Sequence, residues 1–216
     1  MRSSYTLSAL IPLCLSAAAA SAQSFDIDFG TGNATPTTGY GAAAGLSGAG
    51  FWNTYPGGTM PLADLAGNPT GVSITGGVTS FPGFANDPAT VGNDDALLDD
   101  FLGIPVIDTW TVTGLAAGTY DVYGYTWTFA ALPSGFDVNG AGMQVAGGAW
   151  PGFYAPGLYS LHSNVTIAPN QPLVVTLYSI NGAIGVISGL QIVQTPAPGA
   201  AVLLACGGLF VGRRRR

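Results

Sequence analysis

Between residues 23 and 212 the chain carries eleven aspartates and no lysine, arginine or glutamate. Long surface helices are populated by Glu, Lys and Arg, so this stretch lacks the residues that build them. It lacks cations altogether, because the five arginines are Arg2 and the run Arg213 to Arg216. With His162 neutral, eleven Asp against no Lys or Arg gives the stretch a net charge near −11. Nucleic acid is excluded as a partner, since phosphate binding runs on Lys and Arg. A lysine-dependent phosphate loop is excluded on the same ground.

What remains is an all-β reading. Thirty-three Gly and fifteen Pro supply tight turns, and ten Phe, nine Tyr and four Trp supply a core. A disordered segment cannot bury so many rings and therefore avoids them. Phe25, Ile27 and Phe29 alternate with Asp26 and Asp28, which predicts a half-buried first strand. Val72 to Thr75, Thr109 to Thr113 and Thr119 to Phe129 predict further strands, and Asn139-Gly140 predicts a hairpin turn between Phe136–Val138 and Met143–Val145. Asn164 to Ile167, Leu173 to Ile180 and Val186 to Val193 bring the expectation to roughly nine strands. Residues 76–93 read as loop, and Asp94 to Leu102 as a short helix. The spacing suits a single antiparallel β-sandwich or jelly roll over residues 23–193.

Both ends read as addresses. Arg2, the apolar run Leu7 to Leu15 and the small residues Ala20-Ser21-Ala22 predict a signal peptide over residues 1–22, cleaved after Ala22. That removes Cys14 and leaves Cys206 alone, so no internal disulfide is expected. Residues 194–216 hold Pro196, Pro198 and Gly199, twelve mostly apolar residues from Ala200 to Val211, and Arg213, Arg214, Arg215 and Arg216. The apolar run falls short of the roughly 20 residues of a comfortable span, while the arginines would keep that end cytoplasmic. This tail resembles the PEP-CTERM family of bacterial sorting signals, with Ala197 standing where the namesake glutamate would be. The resemblance implies a short membrane-sorting helix, an exosortase-type membrane enzyme as processing partner, and delivery to the cell envelope or extracellular matrix.

The body also resembles galactose-binding-like jelly rolls, the malectin-like and carbohydrate-binding modules. The likeness lies in Phe25-Asp26-Ile27-Asp28-Phe29-Gly30, in Gly114 to Tyr123 and in Ile187 to Ile192. It implies a jelly-roll fold and a glycan ligand, such as an extracellular polysaccharide.

One constellation fits that ligand. Asp121, Tyr123, Tyr125, Trp127 and Phe129 share one face of a strand at two-residue spacing. Flat rings in a row suit the C–H faces of sugars. Tyr123, Tyr125 and Trp127 are the expected contacts, with Trp150 and Tyr154 added from a loop. The alternative is that the row is the inner, core-filling face of the sandwich. Without cations, anionic glycans would be repelled and neutral sugars favoured. Among the aspartates, Asp94 and Asp95 read as capping residues and favourable charges at a helix N-terminus. A structural calcium ion is compatible with the crowded aspartates, although the apolar residues between Asp26 and Asp28 suit a strand better than a calcium loop, and no other cofactor is implied. His162, the only histidine, has no nucleophile-elbow sequence to serve, so no catalytic residue is assigned. The expected function is non-catalytic, with a purely structural envelope protein as the alternative and a glycoside hydrolase behind both.

Overall fold

The computed structural model describes residues 23–84, 86–126 and 133–196. The expected leader with Ala22, the segment with Trp127 and Phe129, and Pro198, Gly199 and Arg213 to Arg216 lie outside them. Pro196 is the last described residue and is exposed. Among the described residues no helix is long and apolar enough to cross a membrane.

The first half of the chain forms β1 (Phe25–Phe29), a 3₁₀ helix (Ala42–Gly48), β2 (Trp52–Tyr55), β3 (Gly58–Ala63), β4 (Pro69–Gly76), β5 (Phe81–Phe84), the helix α1 (Asn93–Leu98) and β6 (Asp100–Ile104). Then follow β7 (Ile107–Thr113), β8 (Gly118–Tyr125), β9 (Ser134–Val138), β10 (Gln144–Ala146), β11 (Tyr159–Ile167), β12 (Leu173–Ser179), β13 (Gly185–Ile187) and β14 (Gly189–Thr195). One sheet has the order β11-β8-β14-β1-β2, a second β10-β9-β12-β7-β4-β3, and a small third β13-β6-β5. The protein is all-β, as its composition requires.

The two larger sheets share one core. Phe25, Ile27 and Phe29 of β1 and Tyr120 and Val122 of β8 meet Ile74, Trp110, Val112, Phe136 and Leu177 from the facing sheet. Phe29 packs edge-on against Tyr55 at 5.1 Å and against Trp110 at 5.5 Å between ring centroids. Such contacts add to the burial of the rings themselves. Gly124 is where the sheets approach closely: a Cβ there would lie 2.6 Å from Phe136 Cδ1.

Four details depart from the sequence expectation. Pairing is not wholly antiparallel, because β1 and β2 run parallel; the 3₁₀ helix and flanking loops between them give the crossover room that a parallel pair needs. Residues 76–93 contain β5, hidden by Pro82 and Gly83, which an edge strand tolerates. The helix stops at Leu98, and Phe101 and Leu102 join β6, where pairing with β5 and β13 outweighs helical spacing. Finally, β1 is buried on both faces, with Asp26 and Asp28 0% exposed. The 3₁₀ helix, whose Gly48 carbonyl meets Gln191, covers that outer face.

Candidate functional site

The outer face of the five-stranded sheet carries the candidate site. Strand pairing places Tyr159 beside Tyr125 and Leu161 beside Tyr123, then Tyr123 beside Gln191, Gln191 beside Asp26 and Asp26 beside Trp52. Alternation sends all of these away from the shared core, since Tyr120, Val122, Leu190 and Ile192 take the inner positions. The aromatic row of β8 is therefore not the inner face. It floors a second cluster of Trp52, Leu97, Leu98 and Tyr125, against which Tyr40, Tyr123, Trp150, Tyr154 and Tyr159 pack.

Trp150 and Tyr154 reach this face from a Gly- and Pro-rich loop closed by Gly147 N–H donating to the Gly157 carbonyl at 2.8 Å. Tyr154 is the hub. Its ring lies 4.9 Å from Trp150, 5.4 Å from Tyr125 and 6.4 Å from Tyr159, each near edge-on. Tyr123 and Tyr159 sit 6.0 Å apart at a shallow 35° tilt, forming a shelf beside the hub. Tyr123, Trp150, Tyr154 and Tyr159 are all half-buried, so each keeps an open edge.

Hydrogen bonds fix the phenols. Tyr40 Oη donates to Asp94 Oδ1, and the Tyr40 and Tyr154 hydroxyls share a bond of 2.8 Å. Burial first, then the Asp94 contact, holds the Tyr40 phenol far above its ordinary range. Burial and the neighbouring Tyr40 do the same for Tyr154. Both hydroxyls stay protonated and polar at neutral pH. Such an arrangement offers ring faces and edges to an apolar surface and hydroxyls to a polar one.

Tyr125 is different. It is wholly buried, and its hydroxyl accepts from Ala43 N–H at 3.0 Å while donating to Gln191 Oε1. It floors the site and cannot touch a ligand, so the contact expected of it passes to Tyr154 and Tyr159. Trp127 lies outside the described residues. Trp150 and Tyr123 are where a ligand could meet them. Tyr159 escaped sequence reading because the strand was started at Asn164; the alternation Tyr159-Ser160-Leu161-His162 was the available signal.

The carboxylates of the Asp94–Asp100 group are largely committed elsewhere. Asp94 and Asp95 do lie in the first turn of α1, yet the N-cap is Gly92 and no side chain caps it. Asp94 holds Tyr40, and Asp95 Oδ2 accepts from Asn33 Nδ2 at 3.0 Å. Asp99 accepts from Asp87 N–H and Thr90 Oγ1, and Asp100 from Gly32 and Asn33 N–H. Burial pushes Asp26 up to about 8, with Gln191 pulling slightly the other way. Burial, then the charge of Asp100, pushes Asp28 up to about 9, and the nearby Thr35 hydroxyl, bonded to Thr54, offsets little of it. Among the described residues no three carboxylate, histidine or cysteine side chains gather where a metal ion could sit. The donor set thus does not fit the six to eight oxygens of a calcium site through side chains alone.

His162 Nε2 lies 3.0 Å from the Gly142 carbonyl, and Ser160 Oγ donates to the Gly124 carbonyl at 3.5 Å. Both are thus bonded to backbone carbonyls rather than to each other.

No family model matches the chain, and no curated protein matches it either. Solved structures match over about four-fifths of the chain. A Bacillus subtilis protein, YXIM, matches at 14% identity and TM-score 0.48 over 80% of this chain and 40% of its own. The extracellular domain of ANXUR2 from Arabidopsis thaliana matches at 9% identity and TM-score 0.49 over 81% and 42%. Bacteroides uniformis beta-glucuronidase 2, as a calcium-binding mutant, matches at 11% identity and TM-score 0.49 over 80% and 18%. The chain therefore spans less than half the length of each of these similar structures.

Proposed function

We propose that this chain is an exported, non-catalytic glycan-binding protein. The observation that carries the reading is the shelf of Tyr123, Trp150, Tyr154 and Tyr159 on the outer sheet face, separate from the sandwich core and open along its edges. Rings at that spacing stack on sugar C–H surfaces, and the Tyr40–Tyr154 hydroxyl pair, whose own protons go to Asp94 and Tyr40, offers oxygen lone pairs as acceptors. With no cation between residues 23 and 212, the ligand is a neutral sugar, such as a unit of an extracellular polysaccharide. No catalytic role is proposed for His162 or for the buried aspartates.

The leader and the tail complete the proposal. Cleavage after Ala22, followed by processing of residues 194–216 by an exosortase-type membrane enzyme, delivers the jelly-roll-like body to the cell envelope or matrix. Comparing cells that express the full chain with cells whose chain lacks residues 195–216 tests the route: equal release of both into the medium overturns it.

A glycan array, run with and without calcium, tests the binding. Binding of neutral glycans that Trp150→Ala abolishes supports the reading. A second reading, a purely structural envelope protein, is favoured by the full burial of Tyr125 and Trp52 within the same cluster. An array without binders would leave that reading in place.

A further inference from the structure

A second site lies on the opposite end of β11. A cleft of about 460 Å³ opens between the β9–β10 turn and β11, lined by Asn139, His162, Asn164, Thr166 and Gln171 over a floor of Val138 and Val165. That volume lies within the range of small-molecule sites. We propose that this cleft binds a neutral polyhydroxylated ligand, a single sugar unit, independently of the aromatic shelf.

The walls are built rather than incidental. In β11 the pairing register slips between His162 and Val165, and Asn164 takes a left-handed backbone at φ 58. A bulge of this kind re-aims side chains, here Ser163 and Asn164, off the strand. Asp121 Oδ1 accepts from Asn164 N–H at 2.9 Å and holds the bulge from behind. Across the cleft Asn139 is also left-handed, at φ 53, and its Oδ1 accepts from Val174 N–H at 2.8 Å. Asp137 secures the same turn by accepting from Gly140 and Gly142 N–H. Two left-handed asparagines thus line the cleft, each held by groups outside it. At the back sits His162, 5% exposed, whose Nδ1 is buried without a hydrogen-bond partner.

The lining chemistry selects the ligand class. Carboxamides and hydroxyls both donate and accept, as vicinal sugar hydroxyls do. No lining residue is anionic or an obligate cation, so an ionic ligand would lose its hydration without compensation. An added peptide strand is excluded at this edge, because the Gln144 carboxamide already occupies both backbone groups of Leu161. No Phe, Tyr or Trp lines the cleft, so recognition runs on hydrogen bonds rather than on a stacking platform.

The test is a titration of the full ¹⁵N-labelled chain with the neutral methyl glycosides of glucose, galactose and mannose, with glucuronate as the anionic comparison. The proposal expects amide shifts at Asn139, Gly142, His162 and Thr166 with a neutral glycoside and none with glucuronate. Asn164→Gly keeps the left-handed backbone without strain while deleting the carboxamide, and Thr166→Val keeps volume while deleting a hydroxyl. Together they should weaken binding about tenfold, the loss of one to two hydrogen bonds. Unchanged affinity in the double variant overturns the proposal. Shifts confined to Tyr123, Trp150 and Tyr159 also overturn it, while leaving the shelf as the glycan site.

Discussion

The Gln144 carboxamide takes both backbone hydrogen bonds of Leu161: Nε2 donates to its carbonyl at 2.8 Å, and Oε1 accepts its N–H at 3.0 Å. Gln144 lies in β10, the edge of one sheet, and Leu161 in β11, the edge of the other. The opposite margin repeats the device. Asn53 of edge strand β2 donates to the Ala63 carbonyl of edge strand β3 at 2.9 Å and accepts its N–H at 2.8 Å. Each open side of the sandwich is thereby closed by an amide side chain acting as one rung of a strand pair.

The two rungs should differ in strength. Asn53 is 6% exposed and also donates to the Asp26 carbonyl at 3.0 Å, so Asn53→Ala strands buried groups. We expect a loss of about 2–3 kcal/mol in urea unfolding, and about 1 kcal/mol for the half-buried Gln144→Ala, where water can replace the amide. A Gln144 variant losing more than the Asn53 variant would contradict this ranking.

The all-β class was legible because the absence of Glu, Lys and Arg between residues 23 and 212 leaves little to build helices from, and because Phe25, Ile27 and Phe29 alternate so plainly with Asp26 and Asp28. The aromatic row was legible as a row, but its direction was not. Tyr120 and Val122 make an equally good inward face, and only the sheet partners of β8 decide which side meets the core. Asp26 and Asp28 read as solvent-facing because a carboxylate normally avoids burial. Their burial depends on the 3₁₀ helix at Ala42–Gly48, whose Ala- and Gly-rich sequence carries no amphipathic signal. Tyr40, Asp94 and Tyr154 meet across 114 residues of chain, a juxtaposition no local pattern encodes.

Tyr125→Phe should separate floor from shelf. The change removes a hydroxyl bonded to Ala43 and Gln191 and leaves Gln191 Oε1 buried without a donor. Stability should fall by about 1–3 kcal/mol, while glycan binding by the folded protein stays as in the unaltered chain. Lost binding at full stability would mean that Tyr125 is reached by ligand after all.

The tryptophans should split by layer. Trp110 is 0% exposed between the sheets, so Trp110→Ala should cost about 3–5 kcal/mol. Trp150 is half-buried on a loop, and Trp150→Ala should cost about 1 kcal/mol, within the usual range for partly exposed sites. Thermal unfolding of both variants checks the contrast; equal losses would place Trp150 in the structural core and weaken the case for an open shelf.

Stability should decline as pH rises. Asp26 ionises at about 8 and Asp28 at about 9 in the folded chain, against 3.8 when unfolded, chiefly because burial disfavours the charged form. Asp99 is raised to about 6, and burial raises Asp100 as well. Between pH 4 and pH 8 the folded chain therefore holds protons that the unfolded chain has released. Bound protons in the native state make the unfolding free energy fall with pH. The contribution is fully present below about pH 4 and is lost as pH climbs through the folded values. Each retained proton adds at most about 1.4 kcal/mol per pH unit to the slope. No cation between residues 23 and 212 can offset the emerging charge. Urea midpoints measured in EDTA should fall steadily from pH 5 to pH 9, and Asp26→Asn with Asp28→Asn should flatten that slope. Midpoints that rise across the same interval would mean that these carboxylates are ionised and paired in the native protein.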